Sequence, residues 1–122
     1  MAWVGTVATA LAFAAVPALA ADPAAGGVYF RAHCSVCHGN TPSSPPGVGP
    51  RLFGVVGRRS GSLPGYTYSA AMRQAGLVWS PDLLFRYLTN PQTVVKGNKM
   101  PFPGIPGTTD RENVVAYLSF LH

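Results

Sequence analysis

Apolar residues fall along this chain in two patterns, and each predicts a different kind of segment. From Trp3 to Val16 they run almost without interruption, and no charged residue occurs before Asp22. Pro17 breaks the run, and Ala18-Leu19-Ala20 then offers small residues at the two positions a signal peptidase inspects. Residues 1–20 therefore read as a secretory leader cleaved after Ala20, which places the remainder in the periplasm. The alternative is an uncleaved membrane anchor. The absence of Lys and Arg near the start counts against a leader, while Pro17 interrupts the roughly 20 apolar residues that a span requires.

Residues 21–122 carry the second pattern, helical periodicity in short stretches separated by Gly and Pro. Asp22 as N-cap and Pro23 at the first helical position open a helix predicted over Pro23–Cys37, with Val28, Tyr29, Phe30 and Ala32 giving its apolar lean. Gly26-Gly27 lowers its propensity by roughly 1 kcal/mol per glycine, which calls for close contact with another helix. A second, short helix is predicted over Ser69–Gln74. A third runs from the Ser80 cap through Pro81, Leu84, Phe85 and Leu88 to Thr89, where Asn90-Pro91 stops it. The last opens at Thr109-Asp110-Arg111-Glu112, which fits a capping box, and Val114, Tyr117, Leu118 and Leu121 then recur on one face. No alternation is long enough for a strand, and no internal repeat is present. The fold class is all-α, with about four short helices. His38 to Tyr68 and Pro91 to Thr108 show no convincing element, and loops of that length in a compact domain need something other than protein to wrap.

The five residues Cys34-Ser35-Val36-Cys37-His38 say what that is. C-x-x-C-H sets two thiols one helical turn apart, the spacing that forms thioethers with the two vinyl groups of a haem. It also sets an imidazole within reach of the iron. Three other readings compete. A Cys34–Cys37 disulfide would be a small staple in an oxidising compartment. A thioredoxin-like pair belongs to a βαβ pattern that this chain lacks. A zinc site wants four ligands, and here there are two cysteines and three histidines at no ligand spacing. A haem also explains the composition. With 14 Gly and 12 Pro, a domain of about 100 residues has a thin core of its own, and a buried macrocycle supplies the missing apolar bulk. Folding without haem is expected to be poor. For the sixth iron position the chain offers Met100, inside Lys99-Met100-Pro101-Phe102-Pro103-Gly104; Met72, in the short helix, reads as packing. On the residues alone Met100 is loop filler as readily as ligand.

Charge narrows the function classes. Nine Lys and Arg against four Asp and Glu give +5, lowered to about +3 by two ionised propionates. The basic residues are scattered and no helix carries a basic stripe, so nucleic acid is not an expected partner, whereas mild positive charge steers encounters with acidic proteins. The only carboxylates are Asp22, Asp82, Asp110 and Glu112, and no acid–base constellation is visible. The chain is expected to be no enzyme.

The whole domain resembles class I cytochromes c, in the mitochondrial and bacterial cytochrome c2-like branch. The matching residues are Gly26 and Phe30 ahead of the Cys34-x-x-Cys37-His38 motif, then Gly49-Pro50-x-Leu52, Gly54-x-x-Gly57-Arg58, Gly61 and Pro64-Gly65-Tyr66-x-Tyr68-Ser69. Trp79, Tyr87-Leu88-x-x-Pro91, Gly97-x-Lys99-Met100-x-Phe102-x-Gly104 and Ala116-Tyr117-Leu118 complete the set. The resemblance implies a small cytochrome c fold whose Gly/Pro-rich loops wrap one covalent haem c. It implies His38 as the proximal iron ligand, with the Pro50 carbonyl on its other ring nitrogen, and Met100 as the distal ligand. Tyr87 would lie near the Met100 sulfur. Trp79, Tyr68 and Arg58 would bind a buried propionate, and Phe102 would stand at the exposed edge with Cys34 and Cys37. Gly26 and Phe30 would pack against Val114 and Tyr117.

Two departures matter. His33 precedes Cys34 and Gln92-Thr93 follow Pro91, so of the lysines that ring the haem edge in mitochondrial relatives only Lys96 and Lys99 remain in that loop. Met72 stands near the distal pocket, where a polar residue often occurs in that branch. The implied function is a soluble, monomeric carrier of single electrons between redox proteins, such as a cytochrome bc1-type complex, an oxidase or a dehydrogenase, with peripheral membrane encounters. The alternatives are a haem subunit dedicated to one oxidoreductase, a haem peroxidase and a gas sensor.

Overall fold

The computed structural model describes residues 1–12 and 20–122. The predicted peptidase site falls partly outside them. Residues 1–12 are exposed and carry no helix or strand, and among the described residues no helix is long and apolar enough to cross a membrane.

The described residues form five helices: α1 (Pro23–His33), α2 (Ala70–Gln74), α3 (Pro81–Thr89), α4 (Pro91–Val94) and α5 (Thr108–Phe120). The described residues contain no strand, only an isolated antiparallel bridge between Arg59 and Val78. Asp22 and Ser80 cap as the sequence predicts, while Ser69, expected as the first residue of the second helix, caps it from outside. Asp22 accepts from the Ala24 N–H, Ser69 from Met72 and Ser80 from Leu83, each satisfying a first-turn donor that has no partner within the helix.

Three boundaries differ from expectation. α1 ends at His33 rather than Cys37, because the N–H groups of Cys34 and Ser35 both turn to the Phe30 carbonyl and the ladder closes there. Asn90-Pro91 stops α3 but also starts α4, a single turn, since the Asn90 side chain caps the Gln92 N–H and Pro91 takes the first helical position. α5 begins at Thr108 behind Gly107, with no side-chain cap, so the capping box at Thr109 does not form. Arg111 explains the early start: its guanidinium donates to the Ile105 carbonyl at 2.6 Å and to Thr108 Oγ1 at 3.3 Å, drawing the preceding chain into the first turn.

The helices are organised by the crossing of α1 over α5, with α3 packed on α5. Gly26 permits the crossing. A Cβ there would be driven into the Asn113 backbone carbonyl and would press the Tyr117 Cβ at 2.9 Å. Around it, the Asp22 N–H donates to Asn113 Oδ1 at 2.7 Å and the Phe30 ring meets Tyr117 at 5.3 Å. Phe30, Val114 and Ile105 are almost wholly buried, and Leu84, Leu88, Val115 and Leu118 extend the same cluster. One flank of this cluster is not covered by protein. The long loops curl round that flank, tied by Gly49 N–H to the Cys37 carbonyl at 2.8 Å, Leu52 N–H to Gly39 at 2.8 Å and Ile105 N–H to Leu88 at 2.7 Å.

Candidate functional site

The uncovered flank is a cleft of about 1290 Å³, counted out to its open mouth. Its floor is the buried helix core, where Phe30, Leu84, Leu88, Val114 and Leu118 form part of the lining. Cys34, Cys37, His38, Pro50, Arg58, Tyr68, Trp79, Tyr87, Met100 and Phe102, all singled out in the sequence, line it together.

On one wall the end of α1 delivers the motif. The Cys37 and His38 N–H groups both donate to the Cys34 carbonyl, at 3.1 and 3.0 Å, so residues 34–38 form a tight turn that sets both cysteines along the cleft. Both are free thiols. Burial, helped by the neighbouring Cys37, pushes the Cys34 thiol up to about 11, so it keeps its proton at neutral pH.

His38 is held from behind. Its Nδ1 pairs with the Pro50 carbonyl at 2.7 Å, which can only accept, so the proton sits on Nδ1 and Nε2 keeps a free lone pair. Gly49 packs so close to the ring that any Cβ there would collide with it. Burial lowers the His38 pKa, against a smaller raising effect of the Pro50 bond, and so favours the neutral form that a metal requires.

Met100 lines the same cleft. Its N–H donates to Asn98 Oδ1 at 2.9 Å, and the Tyr87 hydroxyl donates to its sulfur at 3.6 Å. Tyr87 is 7% exposed and stands edge-on to Trp79 at 5.0 Å; burial pushes its phenol up to about 12, so it remains a donor. Below, the Arg58 guanidinium donates to the carbonyls of Arg51 at 2.8 Å and Phe53 at 2.5 Å. The Tyr68 hydroxyl accepts from the Leu63 N–H at 3.2 Å, which leaves its own proton to donate. At the rim, Lys99 donates to the Thr67 carbonyl and lies 4.8 Å from the Tyr66 ring centroid, tying the two long loops together.

Two contributors were not foreseen. Asn98, 8% exposed, braces Met100, and Gln92 in turn bonds to Gly97 and Asn98. Neither shows in hydrophobic periodicity, since both act through a loop backbone. Met72 lines the cleft as a half-buried apolar wall.

Two thiols, a neutral imidazole with a free Nε2, a thioether and apolar surface gathered in one cleft fit a covalently held haem. The donor set is soft and nitrogenous, suited to iron in a porphyrin. No family model matches the chain. Individual proteins do. Cytochrome c2 of Rhodopila globiformis is 46% identical over 100 residues, which is 82% of this chain and 93% of that one. Cytochrome c2 of Rhodomicrobium vannielii is 42% identical over 119 residues, 98% of this chain and 94% of that one. Among solved structures, cytochrome cH from Methylobacterium extorquens superposes with a TM-score of 0.74 at 40% identity, covering 80% of this chain and 97% of that one. With relatives this similar over most of its length, the chain belongs to the class I cytochrome c family, electron carriers with one covalent haem c.

Proposed function

We propose that the protein is a periplasmic carrier of single electrons whose haem iron is held by His38 and Met100. The observation that carries this reading is the pair of donors in one cleft: an imidazole whose Nδ1 proton is fixed by the Pro50 carbonyl, leaving Nε2 free, and a thioether oriented by Asn98 and Tyr87. When bound, haem supplies a one-electron Fe(III)/Fe(II) couple, and a His/Met pair raises its potential.

The chain's residues keep that couple fast and contained. Cys34 and Cys37 hold the group in register. The Pro50 carbonyl and Gly49 keep the His38 ring from rotating. Tyr87 draws electron density from the Met100 sulfur, which favours the reduced state. Tyr68, with its hydroxyl proton free, and the cationic Arg58 receive a buried propionate, with Trp79 packed beside them. Phe102 and the two cysteines stand where electrons enter and leave. Cleavage after Ala20 releases residues 21–122 into the periplasm. There the monomer exchanges electrons with a bc1-type complex, an oxidase or a dehydrogenase, guided by its positive charge and touching the membrane only peripherally.

A carrier keeps both ligands in both oxidation states, whereas a sensor or peroxidase must open the sixth position. The ferrous holoprotein is therefore expected to cycle reversibly with a one-electron titrant and to take up no carbon monoxide at neutral pH over minutes. Prompt carbon monoxide binding would favour the sensor reading.

A further inference from the structure

Gln92 is an exposed surface residue with an unusually constrained side chain. Its Nε2 donates to the Asn98 carbonyl at 2.9 Å, while its Oε1 accepts from the Gly97 N–H at 3.0 Å. Its own backbone N–H is anchored to Asn90 Oδ1 at 3.2 Å, in the cap of α4. Both ends of one carboxamide thus grip the chain five and six residues ahead. Holding a long surface side chain in one rotamer costs conformational entropy, so such a two-ended grip does not arise by default.

What it grips leads to Met100. Asn98 is buried, its Nδ2 donates to the Val95 carbonyl at 2.9 Å and its Oδ1 accepts from the Met100 N–H at 2.9 Å. The result is a hydrogen-bonded chain from the α4 surface through Asn98 to the backbone of Met100. Only a carboxamide serves at position 92: a carboxylate lacks the donor for Asn98, and an ammonium lacks the acceptor for Gly97.

We propose that Gln92 is a positioning residue for Met100, a clip that closes the 92–98 turn and so keeps the thioether at its place in the cleft. The proposal rests on the reading of Met100 as the distal ligand. Without the clip the turn opens more often, Asn98 loses its outer support, and the sixth position becomes accessible to a small ligand. Two lost hydrogen bonds correspond to a rise of about tenfold in the open population.

The test uses the full holoprotein and its Gln92→Ala, Gln92→Glu and Gln92→Lys variants. Three quantities are measured: carbon monoxide uptake by the ferrous form, the far-red methionine-to-iron band of the ferric form, and melting. Gln92→Ala is expected to take up carbon monoxide about tenfold more readily and to weaken the band, with melting lowered by no more than roughly 10 °C, so that the fold is intact at the temperature of the measurement. The Glu and Lys variants, each keeping one bond, should fall between. Carbon monoxide uptake and band in Gln92→Ala equal to those of the parent would overturn the clip. A parent that itself lacks the band and binds carbon monoxide freely would overturn the ligand reading instead.

Discussion

Alanine at both Cys34 and Cys37 is expected to abolish covalent haem altogether. Each thioether forms when a thiol adds across a vinyl double bond, the S–H proton passing to the vinyl carbon with no net electron change, so without a thiol there is no bond. These are the only cysteines in the chain, and both line the cleft, so no other residue can substitute. The effect reaches beyond attachment. Leu52, Met72, Met100 and Phe102 line the cleft while only partly buried by protein, and fully burying side chains of this kind is worth up to roughly 1.5–3 kcal/mol each. A chain that loses its haem exposes that surface and folds poorly. Single variants separate the two consequences, because either remaining thiol still anchors the group. Haem staining on a denaturing gel gives the answer: none is expected in the double variant and some in each single one. Staining retained in the double variant would contradict the assignment.

Gly26→Leu should destabilise the fold markedly through a position away from the cleft. The α1/α5 crossing brings the Asn113 carbonyl to where the new Cβ must go, and a carbonyl within a helix cannot swing aside as a side chain can. The helices must separate, loosening the Asp22–Asn113 bond and the Phe30–Tyr117 contact. Overpacking of this kind costs about 1–3 kcal/mol. For a domain of this size that lowers the melting temperature by roughly 4–8 °C per kcal/mol. Gly27→Ala is the control. There a Cβ meets only the Tyr117 ring, at 3.1 and 3.2 Å, and the end of the Arg31 side chain, all of which can give way. Melting of the Gly26→Leu protein equal to that of the parent would mean that the crossing lies elsewhere.

The parts of this fold that could be read from the chain are those set by local chemistry. Asp22 and Ser80 cap because their oxygens reach an N–H two or three residues on, a relation that needs no tertiary structure. The Cys34–His38 motif is legible for the same reason: spacing alone fixes what it can hold. The boundaries that shifted are those set at a distance. Nothing near Thr109 announces that Arg111 will reach back to Ile105 and start α5 early. α4 was hidden because Pro91 both ends one helix and begins another. The cleft wall divides likewise. Pro50 and Tyr87 were expected in place only through family resemblance, since a backbone carbonyl twelve residues from His38 leaves no periodic trace. The roles of Gln92 and Asn98 leave no trace in the sequence, where Gln92 reads only as a missing lysine and a polar residue in a Pro/Gly-rich stretch looks like solvent-facing surface until its hydrogen bonds are known.

The most direct test of the central claim, that His38 and Met100 hold the iron, is the visible spectrum of ferric holoprotein matured with the c-type machinery. The account predicts a weak far-red charge-transfer band from methionine sulfur to iron, present in the parent protein and absent in Met100→Ala while haem stays covalently bound. A parent protein with covalent haem and no such band would contradict it, and would turn attention to a cleft whose sixth position is open.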